Sequence, residues 1–307
     1  MTLPEKTVRT ARGLRLVDVP PFPAVALRAL QLASRSETRL SELHALICTD
    51  PAFAGEILRL ANSPLYGIRS QITSTVQATI LLGFERVKGL ALTIAMRAYV
   101  SGSEHNPVLR ASWRHSLGCA LIAEELAGLC RIDKDVVYTA ALIHDIGRLG
   151  LSVIRPDLYS TLVQQSFEDP TSVMRCEREL FGMDHCEAGG QLLTDWGLPQ
   201  ELIDVARSHH HESQREHLDA LEVVHLSCRV ADLAGFEFVH CAESADYDAL
   251  LGRLPGRSVD YVPPKITELS SRIACKMDYI ESQDKPRPLE PNTFQGTQVT
   301  VGLRLSQ

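Results

Sequence analysis

"ALIHDIGRLG", residues 141–150, sets an imidazole beside a carboxylate, His144 and Asp145, inside a run whose neighbours are those of a buried helix. A solitary histidine on an apolar face is ordinarily a satisfied core residue, and an aspartate there ordinarily bonds a nearby helix end. The pair acquires chemical meaning only if ligand-type residues recur elsewhere, because neutral imidazole and carboxylate together are a donor set for divalent iron, manganese, cobalt or zinc. They do recur. His115 sits in "SWRHSLGCALIAEELAG" and His185 in "GMDHCEAGGQLL". His209, His210 and His211 close "LPQELIDVARSHHHE", and Asp232 lies in "VHLSCRVADLAG". Each falls within or at the end of a segment with helical periodicity.

The rest of the chain agrees with a helical protein. Its 307 residues are 45% hydrophobic but only 6% aromatic, with Leu and Ala dominant, which favours packed helices. A chain of this length buries roughly three quarters of its unfolded surface and needs no staples. The net charge is −7 and the basic residues are scattered, so no nucleic-acid partner is expected. Cys48, Cys119, Cys130, Cys176, Cys186, Cys228, Cys241 and Cys275 form no CxxC motif, and "MTLPEKTVRTARG" lacks an apolar leader. Free thiols in a soluble cytoplasmic protein are therefore expected. No uninterrupted apolar run approaches the ~18 residues of a membrane span, so no membrane contact is expected.

Asp50 and Pro51 read as the cap and first position of a helix whose apolar face is Phe53, Ile57, Leu60 and Ala61. Two further helices meet at Gly83, and "SGSEHNP", residues 101–107, reads as a linker. Beyond it, helical patterns cover 109–130, 135–150, 172–181, 185–196, 199–211 and 218–235. Val299, Val301, Leu303 and Leu305 alternate as an isolated strand would, with no evident partner, so the tail is expected to be mobile.

The ordered set "WRHS … HDIGR … DHCEAG … HHHE … VHLSCRVAD" resembles the HD superfamily of metal-dependent phosphohydrolases. "VPPFPAV", "TDPAFAGEILRLANSPLYG", "ITSTVQATILLGFERVKGLAL" and "WGLPQELIDVARSHH" narrow the resemblance to the HDOD family, the HD-related output domains of bacterial signalling proteins. The resemblance covers about residues 15 to 235. It implies an all-α fold with an N-terminal helical bundle over residues 15–105, an HD-type helical core over 106–282 and a mobile tail over 283–307.

It also implies one or two divalent ions, iron or manganese ahead of zinc. His115, His144 and Asp145 would hold the first, and Asp145 would bridge to a second held by His185, His209 and His210. Arg148 stands where related phosphodiesterases carry a Lys and is the candidate phosphate contact. Two departures stand out. The family's last ligand Asp falls on Cys228 in "VHLSC", with Asp232 one turn later as the alternative, and no GYP loop follows "HHHE". The implied function is a regulatory output module. Its partners would be signalling proteins supplied in trans: a sensor, a response regulator or a cyclase. A metal-dependent phosphohydrolase acting on a nucleotide or cyclic nucleotide is the alternative.

Overall fold

Asp50 and Pro51 start a helix for the reasons their chemistry gives. The Asp50 carboxylate accepts the Ala52 and Phe53 N–H groups at 2.9 and 3.1 Å, and Pro51 takes the first helical position, where no N–H is needed. Phe53, Ile57, Leu60 and Ala61 are all buried, the face that their spacing predicts. Asn62 ends the helix: its amide donates to Leu58 O and Ile72 O, each at 2.8 Å, and accepts the Ile72 N–H at 2.7 Å.

That helix is α3 (Pro51–Ala61) in a computed structural model that describes residues 24–32, 37–101, 107–130, 132–211, 218–242, 245–254 and 265–282. With α1 (Ala24–Gln31), α2 (Glu37–Ile47), α4 (Thr75–Leu82) and α5 (Phe84–Ser101) it forms an amino-terminal bundle. Gly83, at φ 91°, makes the corner between α4 and α5 that the sequence places there.

The second group comprises α6 (Pro107–Cys130), α7 (Lys134–Ile143), α8 (Ile146–Ile154), α9 (Pro156–Val163), α10 (Pro170–Phe181), α11 (His185–Asp195), α12 (Gln200–Ser208), α13 (Ala220–Ala231), α14 (Tyr247–Leu251) and α15 (Ile266–Glu281). Helix α6 is its centre, packed against α7 and α13. One hydrophobic core continues from α1, α3 and α5 into α6, α7 and α13, and a smaller one gathers around Tyr159, Leu162 and Phe181. Arg86 of α5 joins the two groups by bonding Glu124 of α6 at 2.6 Å and Asp135 at 2.5 Å. Among the described residues there is no strand, only an isolated bridge between Phe167 and Cys241. The fold is all-α.

Three features differ from the sequence reading. The pattern over 135–150 predicts one helix, but the chain breaks at His144-Asp145 between α7 and α8. Successive side chains on an unbroken helix diverge by about 100°, so the break is what allows both residues to face one pocket. Helix α15 was not expected. Its Leu269, Ile273, Met277 and Ile280 are buried, and Glu281 accepts from Trp113 Nε1 at 3.1 Å and Arg114 Nη1 at 2.5 Å. Lastly, the run Lys134–Ile154 is apolar enough on average to cross a membrane, yet 89% of it is buried inside the protein. The linker residues 102–106 and the tail from 283 lie outside the described residues.

Gly147 fixes how closely α8 approaches α11. A Cβ there would lie 1.9 Å from His185 O and 2.5 Å from Gly189 N, both backbone atoms that cannot turn aside. Gly147→Ala must therefore push the two helices apart. Thermal unfolding is expected to show a loss of about 3 kcal/mol, the upper end of ordinary overpacking. A loss below about 0.5 kcal/mol, the level of an uncoupled surface change, would contradict this close contact.

Candidate metal centre

Four helix ends and one helix interior deliver the site. His115 comes from the middle of α6, and His144 and Asp145 from the break between α7 and α8. His185 opens α11, where Asp184 and Glu187 form a reciprocal capping box. His209 and His210 follow α12. The six side chains meet although nearly a hundred residues separate the first from the last.

Each of four imidazoles is oriented by its Nδ1. That nitrogen donates to Phe236 O at 2.9 Å in His115, to Ala141 O at 2.6 Å in His144 and to Ala206 O at 3.0 Å in His209. In His185 it donates to Glu177 Oε2 at 2.5 Å. Carbonyl and carboxylate oxygens accept only, so in the neutral imidazoles Nε2 carries the lone pair, and all four turn that nitrogen inward. Asp145 stands between them. Its Oδ2 is 3.6 Å from His115 Nε2 and 3.7 Å from His144 Nε2, whereas Oδ1 is 3.5 Å from His185 Nε2 and 3.3 Å from His209 Nε2. One carboxylate thus faces two imidazole pairs with different oxygens, the arrangement of a bridge.

The fit to a cation rests on buried polar atoms that make no hydrogen bond. His144 Nε2, His209 Nε2 and Asp145 Oδ1 are buried without a hydrogen-bond partner. Such a group ordinarily costs about 1–3 kcal/mol, and an ion held among the three would satisfy them together. His210 Nε2 lies 2.9 Å from His185 Nε2. Two lone pairs at that distance repel unless a proton or a cation intervenes. The donors fall into groups that could hold a metal: His144 with Asp145 and His209, His185 with Cys186, His209 and His210, and His115 with Cys119, His144 and Cys228.

Electrostatics point the same way. Burial works against charging His115, but Cys228, Asp232 and Asp145 outweigh it and lift the imidazole to about 9. Burial and Arg148 oppose charge on His185, and Cys186 and Glu177 lift it to about 9. Burial would raise Asp145, yet Arg148, His144, His209 and His185 hold it well below the usual carboxylate range. Burial and the neighbouring imidazoles instead hold His144 and His210 down, so the anions favour positive charge at only part of the cluster.

Not every expected residue arrives as expected. Asp232 belongs to a π-helical turn, Asp232–Phe236, that follows α13 and closes at Gly235 with φ 85°. It places Asp232 Oδ1 3.6 Å from His115 Nδ1, the nitrogen already donating to Phe236 O. Asp232 Oδ1 therefore lies on the Nδ1 side of the ring, outside the groups of converging donors, while the residue also lines the small cavity beside the site. Cys228 does face the pocket, with Sγ 3.6 Å from His115 Nε2. Arg148 is buried, donates to Asp145 Oδ2 at 2.9 Å and to Glu177 Oε1 at 3.4 Å, and covers the Phe238 ring. Two carboxylates occupy the guanidinium expected to meet phosphate. His211 is exposed.

Two functional residues were missed. Glu177 is fully buried and accepts from His185 N at 2.9 Å and Tyr159 Oη at 2.6 Å, besides His185 Nδ1 and Arg148. Its signal was an acid inside the apolar stripe Val173, Glu177, Phe181. Cys119, one turn after His115, is the other, with Sγ 3.5 Å from His115 Nε2.

The all-helical fold and the buried pocket of imidazoles around a helix-breaking His-Asp pair match what the resemblance to the HD type implies. The chain belongs to the HDOD family: the HDOD domain model matches residues 19–212. An HDOD domain protein of unknown function from Geobacter sulfurreducens is 24% identical, with a TM-score of 0.63 over 85% of this chain and 91% of that one. A candidate signal transduction protein from Marinobacter aquaeolei VT8 is 22% identical, with a TM-score of 0.64 over 87% of this chain and 60% of that one. A candidate phosphohydrolase from Shewanella amazonensis SB2B is 19% identical, with a TM-score of 0.60 over 87% of this chain and 93% of that one. An uncharacterised protein of Treponema pallidum (strain Nichols) is 23% identical over 202 residues, 64% of this chain. The match spans only 38% of that relative's length.

Proposed function

We propose that this protein is a regulatory module in which a buried metal centre stabilises the HD-type core and the signal passes by contact with separate signalling proteins. The observation that carries the reading is the size and state of the space beside the site. The cavity lined by His115, Asp145, Arg148, His210 and Cys228 measures about 20 Å³. That is room for about one water and far from the ~300 Å³ of an ordinary small-molecule site. Arg148, the guanidinium at its wall, is already held by Asp145 and Glu177. The name of the Marinobacter relative accords with signalling.

A second reading, metal-dependent phosphoester hydrolysis, is favoured by one specific observation. Asp145 faces two imidazole pairs with different oxygens, and a bridged pair of ions can supply an activated water. The name of the Shewanella relative accords with it. A larger space of about 150 Å³ adjoins the site through Asp232, Val239 and Cys241. The two readings separate in one assay. Protein loaded anaerobically with iron or manganese is incubated with cyclic di-GMP and with a simple aryl phosphodiester. No turnover above a His144→Ala control is expected. Turnover that disappears in His144→Ala would overturn the regulatory reading in favour of the enzyme.

A further inference from the structure

We propose that His115, Cys119, His144 and Cys228 form a closed, tetrahedral, two-thiolate site that takes zinc at the first metal position. The inference rests on the reading that the pocket holds metal, and it changes which ion and which donors. The four donor atoms lie within 4.8 Å of one another. A zinc ion with bonds of about 2.3 Å to sulfur and 2.05 Å to nitrogen sets tetrahedral S···N edges near 3.6 Å. The edges from His115 Nε2 measure 3.5 Å to Cys119 Sγ and 3.6 Å to Cys228 Sγ.

Each donor is prepared for the role. His115 and Cys119 are four residues apart and share one face of α6. Phe236 O and Ala141 O hold the Nδ1 protons of His115 and His144, so both Nε2 lone pairs are presented. His144 Nε2 has no partner, and His144 is wholly buried. His115, Cys119 and Cys228 are buried as well, so this is no surface cluster. Asp145 Oδ2 is also near, but Arg148 Nε already donates to it. Its Oδ1, which lacks a partner, looks toward His185 and His209.

The consequence is a division of donor classes. Two thiolates and two imidazoles favour zinc, whereas imidazole with carboxylate suits iron or manganese. His210 and His185 Nε2 lie 2.9 Å apart, close to the ~3.0 Å between neighbouring donors on a six-coordinate ion with bonds of about 2.1 Å. The hard-ion expectation drawn from the family pattern then applies to the second position only. There Cys186 Sγ lies 4.0 Å from His209 Nδ1, on the side of that ring turned away from Asp145. A four-donor protein site also keeps no open position for water, so the first ion is structural.

Cobalt(II) tests this, because it enters tetrahedral zinc sites and reports thiolate bonds as near-ultraviolet charge transfer. The full chain is purified under reducing conditions, stripped and titrated with cobalt. Intense tetrahedral bands with charge transfer are expected, displaced by one equivalent of zinc. Cys119→Ser and Cys228→Ser should each remove about half of the charge-transfer intensity and weaken zinc retention at least tenfold. The wild-type spectrum decides by itself even if a variant fails to fold. Cobalt bound without charge transfer, and retained equally by both serine variants, would overturn the thiolate site while leaving the imidazole–carboxylate centre standing. A folded, reduced protein that takes up no cobalt, zinc, iron or manganese would overturn both.

Discussion

Asp145→Ala is expected to strip metal from the second position and to be one of the two most destabilising changes in the pocket. Its Oδ1 faces His185 and His209 Nε2 at 3.5 and 3.3 Å, and the side chain is also the nearest counter-charge of Arg148, whose Nε donates to it at 2.9 Å. Arg148 is buried, and Glu177 at 3.4 Å is the other carboxylate it touches. Removing one partner of a buried ion pair costs about 3–5 kcal/mol, because the remaining charge loses its compensation. Thermal melts should fall by roughly 10 °C. Asp145→Asn separates the two effects. The amide oxygen keeps the bond from Arg148, so stability should drop less, while the neutral group no longer attracts an ion. Elemental analysis beside the melts checks this. Full metal content in either variant would show that Asp145 is a structural partner of Arg148 and nothing more.

Glu177→Ala is the second large effect. Four donors converge on this carboxylate: Tyr159 Oη, His185 N, His185 Nδ1 and Arg148 Nη1. Burial would raise the group, and His185, Arg148 and Tyr159 pull it down to about 2, so it is an anion throughout the physiological range. Its loss leaves buried donors unsatisfied at about 1–3 kcal/mol each and should destabilise the protein by about 3–5 kcal/mol in total. It also frees the His185 ring. Loss of such an orienting partner typically weakens metal affinity 10–100-fold. The weakening should be confined to the second position, since His115 and His144 are oriented by carbonyls of Phe236 and Ala141. Competitive chelator titration distinguishes the positions, and Glu177→Gln should recover part of the affinity. Equal weakening at both would contradict the assignment of Glu177 to His185 alone.

Much of the architecture could be read before any coordinates. Helix α3 carries its cap, its proline and its apolar face in the primary sequence, and each local signal agrees with the packing. The histidines were legible through their order along the chain, which no local propensity reveals, because residues so far apart meet only through tertiary packing. What escaped did so for physical reasons. Asp232 follows Cys228 by one helical turn, but the chain leaves the α-helix there for a π turn, which sets where its carboxylate stands beside His115. Periodicity alone does not announce that change. Cys119 looked like any small apolar residue on α6, and a thiol gains meaning only from the neighbour opposite. Glu177 was visible as an acid in an apolar stripe, although its partner His185 could be named only in three dimensions. Helix α15 carries its signal in the spacing of Leu269, Ile273, Met277 and Ile280, but its polar residues keep the segment's average apolar character low.

The converging donors are expected to hold metal in this pocket. Anomalous X-ray scattering from crystals of the full chain, grown without added metal or chelator and recorded across the zinc, iron and manganese edges, tests it most directly. The expected result is an anomalous peak about 2 Å from His144 Nε2. A map with no anomalous peak, in which His144 Nε2, His209 Nε2 and Asp145 Oδ1 each bond an ordered water, would contradict it.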